Sequence, residues 1–310
     1  MDDSASLTRA EISLEGLSIG DAFGQRFFSI QPNLESLIRN HAVPAAPWNW
    51  TDDTAMALSV VEVLRRRRGI DQDALARCFA ERYAAEPARG YGATAHQILR
   101  DIGLGVPWRQ AAGSVFEGSG SMGNGAAMRV APLGGYFADD LEEVVRQAIL
   151  SAQPTHAHPE GQAGAVAVAV AAAMAWRMRG SPPELAARAM MEEVRKRTPA
   201  GETLAGLERA VTLGTGCDPG TAVAALGNGS RVISSDTVPF ALWCAARHLG
   251  DFEEALWVTV SGLGDRDTTC AIVGGIIALR VGREGLPVKF LRARETLEPA
   301  SGSRSSMTRP

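Results

Sequence analysis

Apolar residues recur at helical spacing, or continue all round a predicted helix, along most of this chain. The pattern predicts nine helices: Leu7 to Phe23, Asp53 to Leu64, Asp71 to Tyr83, Leu141 to Ser151, Glu160 to Met178, Pro183 to Arg197, Val238 to His248, Phe252 to Ser261 and Thr268 to Val281. The segment VAVAV, Val166 to Val170, alternates with period two, but its alanine-rich flanks favour helix. Such alternation is scarce elsewhere, so the pattern predicts an all-α protein.

The alanine-rich run from Ala163 to Trp176 is the most apolar stretch of the chain. It is too short and too weakly apolar to span a bilayer, and we expect it to form a buried helix. Glycine and proline separate the predicted helices, with no internal repeat and no long linker. We therefore expect a single domain over residues 7–297, with disordered ends at residues 1–6 and 298–310.

Composition and charge narrow the function classes. The chain has 310 residues, a net charge of −4 and an isoelectric point near 5.8, which argues against general affinity for nucleic acid or anionic membranes. Its four cysteines are far apart and form no CxxC pair, so we expect neither disulfides nor a thiolate zinc site. The N-terminus, MDDSASL, lacks the basic start of a signal peptide. We expect a cytoplasmic monomer.

Two acidic clusters share one form. WNWTDDTAM (Trp48 to Met56) and GDRDT (Gly264 to Thr268) each set two aspartates and a threonine where an apolar helix begins. For the first cluster alone, a threonine N-cap followed by acids that complement the helix dipole is a sufficient explanation. Two such clusters offer four carboxylates and two hydroxyls, which are hard oxygen ligands suited to Mg²⁺ or Mn²⁺. Because converging carboxylates repel one another, we predict a site for two divalent cations.

Seven segments together resemble the ADP-ribosylglycohydrolase family, which includes the dinitrogenase-reductase-activating glycohydrolases. They run in order along nearly the whole chain: GLSIGDAFG (Gly16 to Gly24), WTDDTAMAL (Trp50 to Leu58), RGYG (Arg89 to Gly92), GSMGNGAAMRVAPLG (Gly120 to Gly134), THAHPEGQAGA (Thr155 to Ala165), VPFAL (Val238 to Leu242) and GDRDT. The resemblance implies an all-α helical bundle of the family's type with a binuclear Mg²⁺ or Mn²⁺ centre. It further implies hydrolysis at the anomeric carbon of ADP-ribose, releasing it from a modified protein side chain or another conjugate.

The resemblance also implies roles for the two clusters. One side of the metal pair would be ligated by Thr51, Asp52 and Asp53, and the other by Asp265, Asp267 and Thr268, with Thr268 also starting its helix. Departure at an anomeric carbon builds oxocarbenium-like charge, and an attacking water then needs a base. Asp53 and Asp265 are the candidate bases.

A glycine-rich loop, FEGSGSMGNGAAMR, precedes a short helix expected near Ala126. Such a loop is an ordinary tight turn in many proteins, although glycines and a helix N-terminus also suit a diphosphate. By the resemblance, a ring of the ligand would stack on Phe116, and a polar edge would bond Asn124. The diphosphate would be lined by Gly120, Ser121 and Gly123.

The pair His156 and His158 allows a different hypothesis, a zinc amidohydrolase. Such sites need a barrel strand before the pair and further ligands after it, which this sequence does not offer. The family resemblance instead makes His156 a ligand-contacting residue. A third interpretation is that a histidine caps the turn before Pro159.

The chain departs from the family pattern at two places. Relatives commonly carry a small hydroxyl residue where Arg266 stands and a glycine where Leu263 stands, and many have a glutamate near Gln25 to Phe28. We expect Arg266 to contact the diphosphate; the alternative is that it points outward. The missing acid would remove one metal ligand or one group on the leaving side, which bears on the acceptor chemistry. Since some relatives have lost catalysis, a further hypothesis is a binding or structural protein. All six candidate ligands are present, which favours an enzyme.

Overall fold

The structure is a computed structural model that describes residues 3–28 and 33–297. Within these ranges it contains sixteen α-helices and no extended strand, which confirms the predicted all-α class. The helices are α1 (Asp3–Arg26), α2 (Leu34–Arg39), α3 (Asp52–Arg67), α4 (Gln72–Ala85), α5 (Ala93–Gly103), α6 (Trp108–Ser114), α7 (Ala131–Tyr136), α8 (Leu141–Ala152), α9 (Pro159–Arg177), α10 (Pro183–Arg197), α11 (Glu202–Leu213), α12 (Pro219–Leu226), α13 (Ser234–Arg247), α14 (Phe252–Ser261), α15 (Arg266–Val281) and α16 (Val288–Ala293).

All nine predicted helices are present, with ends within four residues of the predicted ones. Seven helices escaped prediction, and four of them (α2, α6, α7 and α16) have only six or seven residues. Fewer than two turns give too few positions for a helical period to show.

The N-terminal prediction is wrong for residues 3–6. Helix α1 begins at Asp3, and Ser6, expected to be disordered, is 1% exposed. Its hydroxyl accepts a hydrogen bond from Nη2 of Arg9, which also forms a salt bridge with Asp139 at 2.8 Å. These contacts hold the first turns of α1. Residues 1, 2 and 298–310, the rest of the expected disordered ends, lie outside the described residues.

Helix α9 lies in the middle of the protein, packed against α7, α8, α10, α13 and α15. Residues 163–175 are buried throughout, so the alternating VAVAV segment is a buried helix, as its alanine flanks predicted. In the described residues, no helix has the length and apolar character needed to cross a membrane. All four cysteines are free thiols.

Helices α1 and α15 approach each other more closely than side chains would permit. Gly16, Gly20 and Gly24, one per turn of α1, face the backbone of α15. A methyl group on any of them would overlap a carbonyl oxygen of Gly274, Cys270 or Arg266. The glycine stripe therefore sets the separation of the two helices, and with it the distance from α1 to the acidic start of α15.

Candidate functional site

The two predicted acidic clusters come together at the junction of α1, α3 and α15. Asp52 and Asp53 lie in the first turn of α3, and Asp267 lies in the first turn of α15, with Asp265 as its N-cap. Helix α15 thus begins two residues before the predicted start at Thr268. Because like charges favour protonation of their neighbours, repulsion within the cluster adds to the effect of burial on the pKa values of Asp52, Asp53 and Asp267.

A fifth carboxylate, Asp21 of α1, lies beneath the first cluster and was not singled out from the sequence. Asp21 is fully buried and accepts hydrogen bonds of 2.5–3.1 Å from the backbone N–H and hydroxyl groups of both Thr51 and Thr54. Burial raises its pKa to about 6, against the lowering effect of these four donors. The signal was available, since an aspartate stands inside the apolar segment GLSIGDAFG. A buried acid in such a segment needs partners.

Thr51 is the N-cap of α3, as the simplest interpretation of its motif predicted. Its side chain accepts from the backbone N–H of Asp53, while its oxygen lies 2.8 Å from Oδ1 of Asp21 and 2.9 Å from Oδ2 of Asp53. One hydroxyl proton cannot serve two carboxylates, so this contact requires a further proton or a cation.

Asp53 also requires a proton or a cation. Its Oδ1 is buried and has no hydrogen-bond partner in the described residues. Burial, followed by the charges of Asp21 and Asp267, raises the pKa of Asp53 well above its usual range. An unpartnered buried carboxylate oxygen is costly unless a proton or a metal ion satisfies it.

Asp52 is held by the RGYG segment. Its backbone N–H donates to the carbonyl of Arg89 at 2.7 Å, and Gly90 (φ +94°) brings the chain close to its carboxylate. Arg89 is fixed in turn by Glu295 at 2.7 Å and by the face of Trp50, 3.6 Å from its guanidinium carbon. Burial, and then the charge of Asp21, raises the pKa of Asp52 to about 7.

The second cluster has different anchors. Asp265 makes no side-chain cap; its backbone N–H donates to the carbonyl of Asn228, and its Oδ2 accepts from Nδ2 of Asn124 at 2.7 Å. Asp267 accepts from the backbone N–H of Thr268 at 2.9 Å. Burial, and then the charge of Asp265, raises the pKa of Asp267 well above its usual range. Asn124 therefore joins the glycine loop to the carboxylates. From the sequence, we expected Asn124 only to contact a ligand.

The glycine loop owes its shape to left-handed backbone. Gly118 and Gly120 have φ of +89° and +76°, and Phe116, with φ +52°, holds its ring 58% exposed. The backbone N–H of Gly123 donates to the hydroxyl of Ser121. The N–H groups of Ser121 and Met122 have no acceptor among the described residues, so both stay free for an anion.

The expected helix after this loop is shorter than predicted. Asn124–Ala126 form a single 3₁₀ turn, and α7 starts only at Ala131. A turn of three residues has almost no dipole, so any anion here must be bound by the loop's own N–H groups.

His156 and His158 have different roles. Nδ1 of His158 accepts from the backbone N–H of Glu160, so His158 caps α9 before Pro159, as the third interpretation held. His156 faces the glycine loop, and a methyl group on Gly123 or Gly125 would lie 3.2–3.3 Å from its Nε2. Burial, and then the charge of Arg129, lowers the pKa of His156 to about 3, so its ring is neutral. Without a barrel, the zinc amidohydrolase hypothesis is wrong.

Arg266 lies elsewhere than we expected from the sequence. Its Nη1 donates to the carbonyl of Phe27 at 2.7 Å, and its guanidinium carbon lies 4.6 Å from the ring centre of Phe28. The side chain thus joins the start of α15 to the end of α1. The neighbouring residues in the chain, Asp265 and Asp267, belong to the carboxylate cluster instead. Neither the diphosphate-facing nor the outward orientation describes it.

The donor set fits hard divalent cations, although the side chains do not form a finished coordination shell. In the described ranges, no three histidine, cysteine or acidic side chains are arranged to hold one ion as they stand. The unpartnered Oδ1 of Asp53 and the shared proton of Thr51 are nevertheless groups that a cation would satisfy. Oxygen donors alone favour Mg²⁺ or Mn²⁺.

Comparisons with known proteins show which sequences and structures this chain resembles. The family model described as ADP-ribosylglycohydrolase matches residues 2–306. Human ADP-ribosylhydrolase ARH3 is 27% identical over 333 residues, covering 94% of this chain and 91% of the human protein. An uncharacterised protein of Archaeoglobus fulgidus is 32% identical over 270 residues, covering 84% of both chains. A solved structure of an ADP-ribosylglycohydrolase-related protein complex covers 94% of each chain, with a TM-score of 0.68 and 26% identity.

Proposed function

Because the chain belongs to the ADP-ribosylglycohydrolase family, we propose that it hydrolyses the glycosidic bond at the anomeric carbon of ADP-ribose with two Mg²⁺ or Mn²⁺ ions. The substrate would be an ADP-ribosylated protein side chain or another ADP-ribose conjugate. One observation carries the proposal: Asn124 ties a loop with free N–H donors to a cluster of buried, mutually repelling carboxylates.

The carboxylate side of this arrangement would hold the ions. The residues that would ligate them are Thr51, Asp52 and Asp53 on one side and Asp265, Asp267 and Thr268 on the other. When bound, such ions orient ribose hydroxyls, neutralise the carboxylates and make water a better nucleophile near neutral pH.

The loop side would hold the ADP part of the ligand. The backbone N–H groups of Ser121 and Met122 are free to donate to diphosphate oxygens. The exposed ring of Phe116 offers a face on which an aromatic ring can stack. His156 presents Nε2 at the same loop, where it has no partner in the described part of the chain.

Bond cleavage leaves oxocarbenium-like charge on the ribose, and the departing acceptor takes up a proton. A base must then take a proton from the attacking water. Asp53 offers an oxygen that no protein group occupies, whereas Oδ2 of Asp265 is held by Asn124. This difference favours Asp53 as the base and gives Asp265 the role of joining the two halves of the site.

A second candidate function is ADP-ribose binding without catalysis. The absence of an acid near Gln25 to Phe28 is the feature that favours it. The six candidate ligands favour turnover, since loss of activity is expected to remove ligands first.

Release of ADP-ribose from an ADP-ribosylated protein, measured with Mg²⁺, with Mn²⁺ and in EDTA, tests the proposal. We expect release that depends on the cation, two ions per chain by elemental analysis, and calorimetric binding of ADP-ribose as product. Full activity in EDTA or stoichiometric zinc would refute the metal assignment. Binding of ADP-ribose without release from any conjugate would support the second function.

A further inference from the structure

Beneath the glycine loop lies a buried chain of hydrogen bonds that starts at Arg129. Arg129 is 0% exposed, and its guanidinium lies 4.3 Å from the ring centre of Phe79. Its Nη2 donates to the carbonyl of Ser151 at 3.1 Å and to Oγ1 of Thr155 at 2.8 Å. A guanidinium keeps its proton at physiological pH even when burial lowers its pKa, here to about 9. Thr155 therefore accepts a hydrogen bond from a cation.

The hydroxyl of Thr155 has one proton and two neighbours that can accept it. Nδ1 of His156 lies 2.8 Å from Oγ1, whereas the carbonyl of Ala152 lies at 3.5 Å, the outer limit of a hydrogen bond. Because Arg129 already occupies one lone pair and polarises the O–H bond, the hydroxyl donates to its nearer neighbour. Nδ1 of His156 is then an acceptor and carries no proton.

The reverse arrangement is unfavourable. If Nδ1 of His156 carried the proton, Oγ1 of Thr155 would accept from both Arg129 and His156, and its own proton could reach only the distant carbonyl. A doubly protonated ring would also place a second cation beside the buried charge of Arg129. A neutral ring with its proton on Nε2 avoids both.

We propose that Arg129 and Thr155 are positioning residues that hold His156 as a neutral ring with its proton on Nε2, so that it presents an N–H donor to a ligand oxygen at the glycine loop. The tautomer follows from the free protein, while its use rests on the proposed function. A bare Nε2 would repel the lone pair of a phosphate oxygen, whereas a fixed N–H donates a hydrogen bond to it. Arg129 ends the segment AAMR, and Thr155 begins the segment THAHP. The proposal gives these two segments one task, which is to orient the ring of His156.

Nitrogen-15 NMR of histidine-labelled, ligand-free protein tests the tautomer. His156 is identified among the five histidines by the signals that vanish in His156→Gln. We expect one protonated Nε2 and one bare Nδ1, unchanged from pH 5.5 to 8. In Thr155→Val, the Nδ1 signal should move toward that of a nitrogen accepting no hydrogen bond, and Thr155→Ser should restore it. A proton on Nδ1, or titration of this ring near pH 6.5, would overturn the proposal.

Calorimetric titration with ADP-ribose in Mg²⁺ tests the consequence. Thr155→Val should weaken binding about two- to tenfold, the range for one neutral hydrogen bond, and Thr155→Ser should recover it. Thr198→Val is the matched control, since among the described residues this buried hydroxyl bonds only the carbonyl of Val194. Unchanged affinity in Thr155→Val would overturn the role in binding. If the wild type binds no ADP-ribose, the proposed function fails, and the NMR result still decides the tautomer.

Discussion

At the start of α3, Thr51 caps the helix with its own side chain, and the buried carboxylate of Asp21 holds it from below through four donors. At the start of α15, Asp265 makes no side-chain cap and depends on the amide of Asn124, which belongs to another loop. The two clusters share one sequence form, yet the first is anchored by an acid and the second by a neutral donor.

This difference separates two tasks. An acid beneath an acidic cluster adds negative charge, so the first cluster needs protons or cations to be stable. An amide adds no charge but connects the second cluster to the glycine loop. We therefore expect changes at the α3 cluster to act mainly on cation binding, and changes at the α15 cluster to act on cations and ligand together.

Removal of one carboxylate from each cluster should have the largest effect. Asp53→Ala and Asp267→Ala each delete a candidate ligand, and loss of several kcal/mol of charge stabilisation corresponds to about a thousandfold or more in turnover. Elemental analysis should show fewer than two ions per chain in both variants. Wild-type turnover in either would remove that residue from the site.

Changes to the two anchoring residues, Asp21 and Asn124, test whether the two clusters have separate tasks. Asp21→Asn and Asn124→Ala should each weaken Mg²⁺ binding about ten- to hundredfold, as expected for residues that orient ligands. At saturating Mg²⁺, only Asn124→Ala should also weaken ADP-ribose binding. Paired calorimetric titrations measure both, with Asp140→Asn, the exposed N-cap of α8, as control. Equal effects of both variants on ADP-ribose would show that the clusters do not divide these tasks.

The free energy of unfolding should depend on pH because the clustered aspartates repel one another. Burial and neighbouring charges raise the pKa values of Asp21 and Asp52 to about 6 and about 7, and those of Asp53 and Asp267 well above their usual range. Unfolded aspartates titrate near pH 4. Between about pH 4 and 7 the metal-free folded state therefore holds more protons than the unfolded state, and the free energy of unfolding falls as pH rises.

In EDTA, the melting temperature should drop by several degrees from pH 5 to 7.5, since each kcal/mol lost lowers it by roughly 1.5 °C in a chain of 310 residues. Excess Mg²⁺ should flatten this slope, and Asp52→Asn should make it shallower. Differential scanning calorimetry measures all three. A melting temperature that rises with pH in EDTA would contradict the account.

The smallest effect is expected for Arg266→Thr. The variant loses one hydrogen bond to the Phe27 carbonyl and a contact with Phe28, together worth about 1–2 kcal/mol of unfolding free energy. Since Arg266 faces α1, ADP-ribose affinity should stay within about threefold, less than the 1.4 kcal/mol of a tenfold change. Chemical denaturation and calorimetry separate the two quantities. A tenfold loss of ADP-ribose affinity with an unchanged free energy of unfolding would show that Arg266 contacts the diphosphate.

Sequence reasoning singled out most residues of the candidate site but not the groups that support them. Asp52, Asp53 and Asp267 were found because acids at the start of an apolar helix form a local pattern, and Asn124 and His156 were found through the resemblance. Asp21 was missed because an acid inside an apolar helix shows that it needs partners, but not that Thr51 and Thr54, 30 and 33 residues away, supply them. Asn124 was given a ligand contact, while its bond to Asp265 spans 141 residues of chain.

The amino-acid sequence by itself determined nine of the sixteen helices in the described residues and the side chains near where they begin, because helical period and capping depend on residues only a few positions apart. The tertiary structure decided which groups hold those side chains. Asp21 meets Thr51 across 30 residues, and Arg266 meets Phe27 across 239. Both contacts depend on how closely α1 approaches its neighbours, and the glycine stripe on α1 sets that approach to α15. Glycines on one helix become informative only when the helix that they face is known.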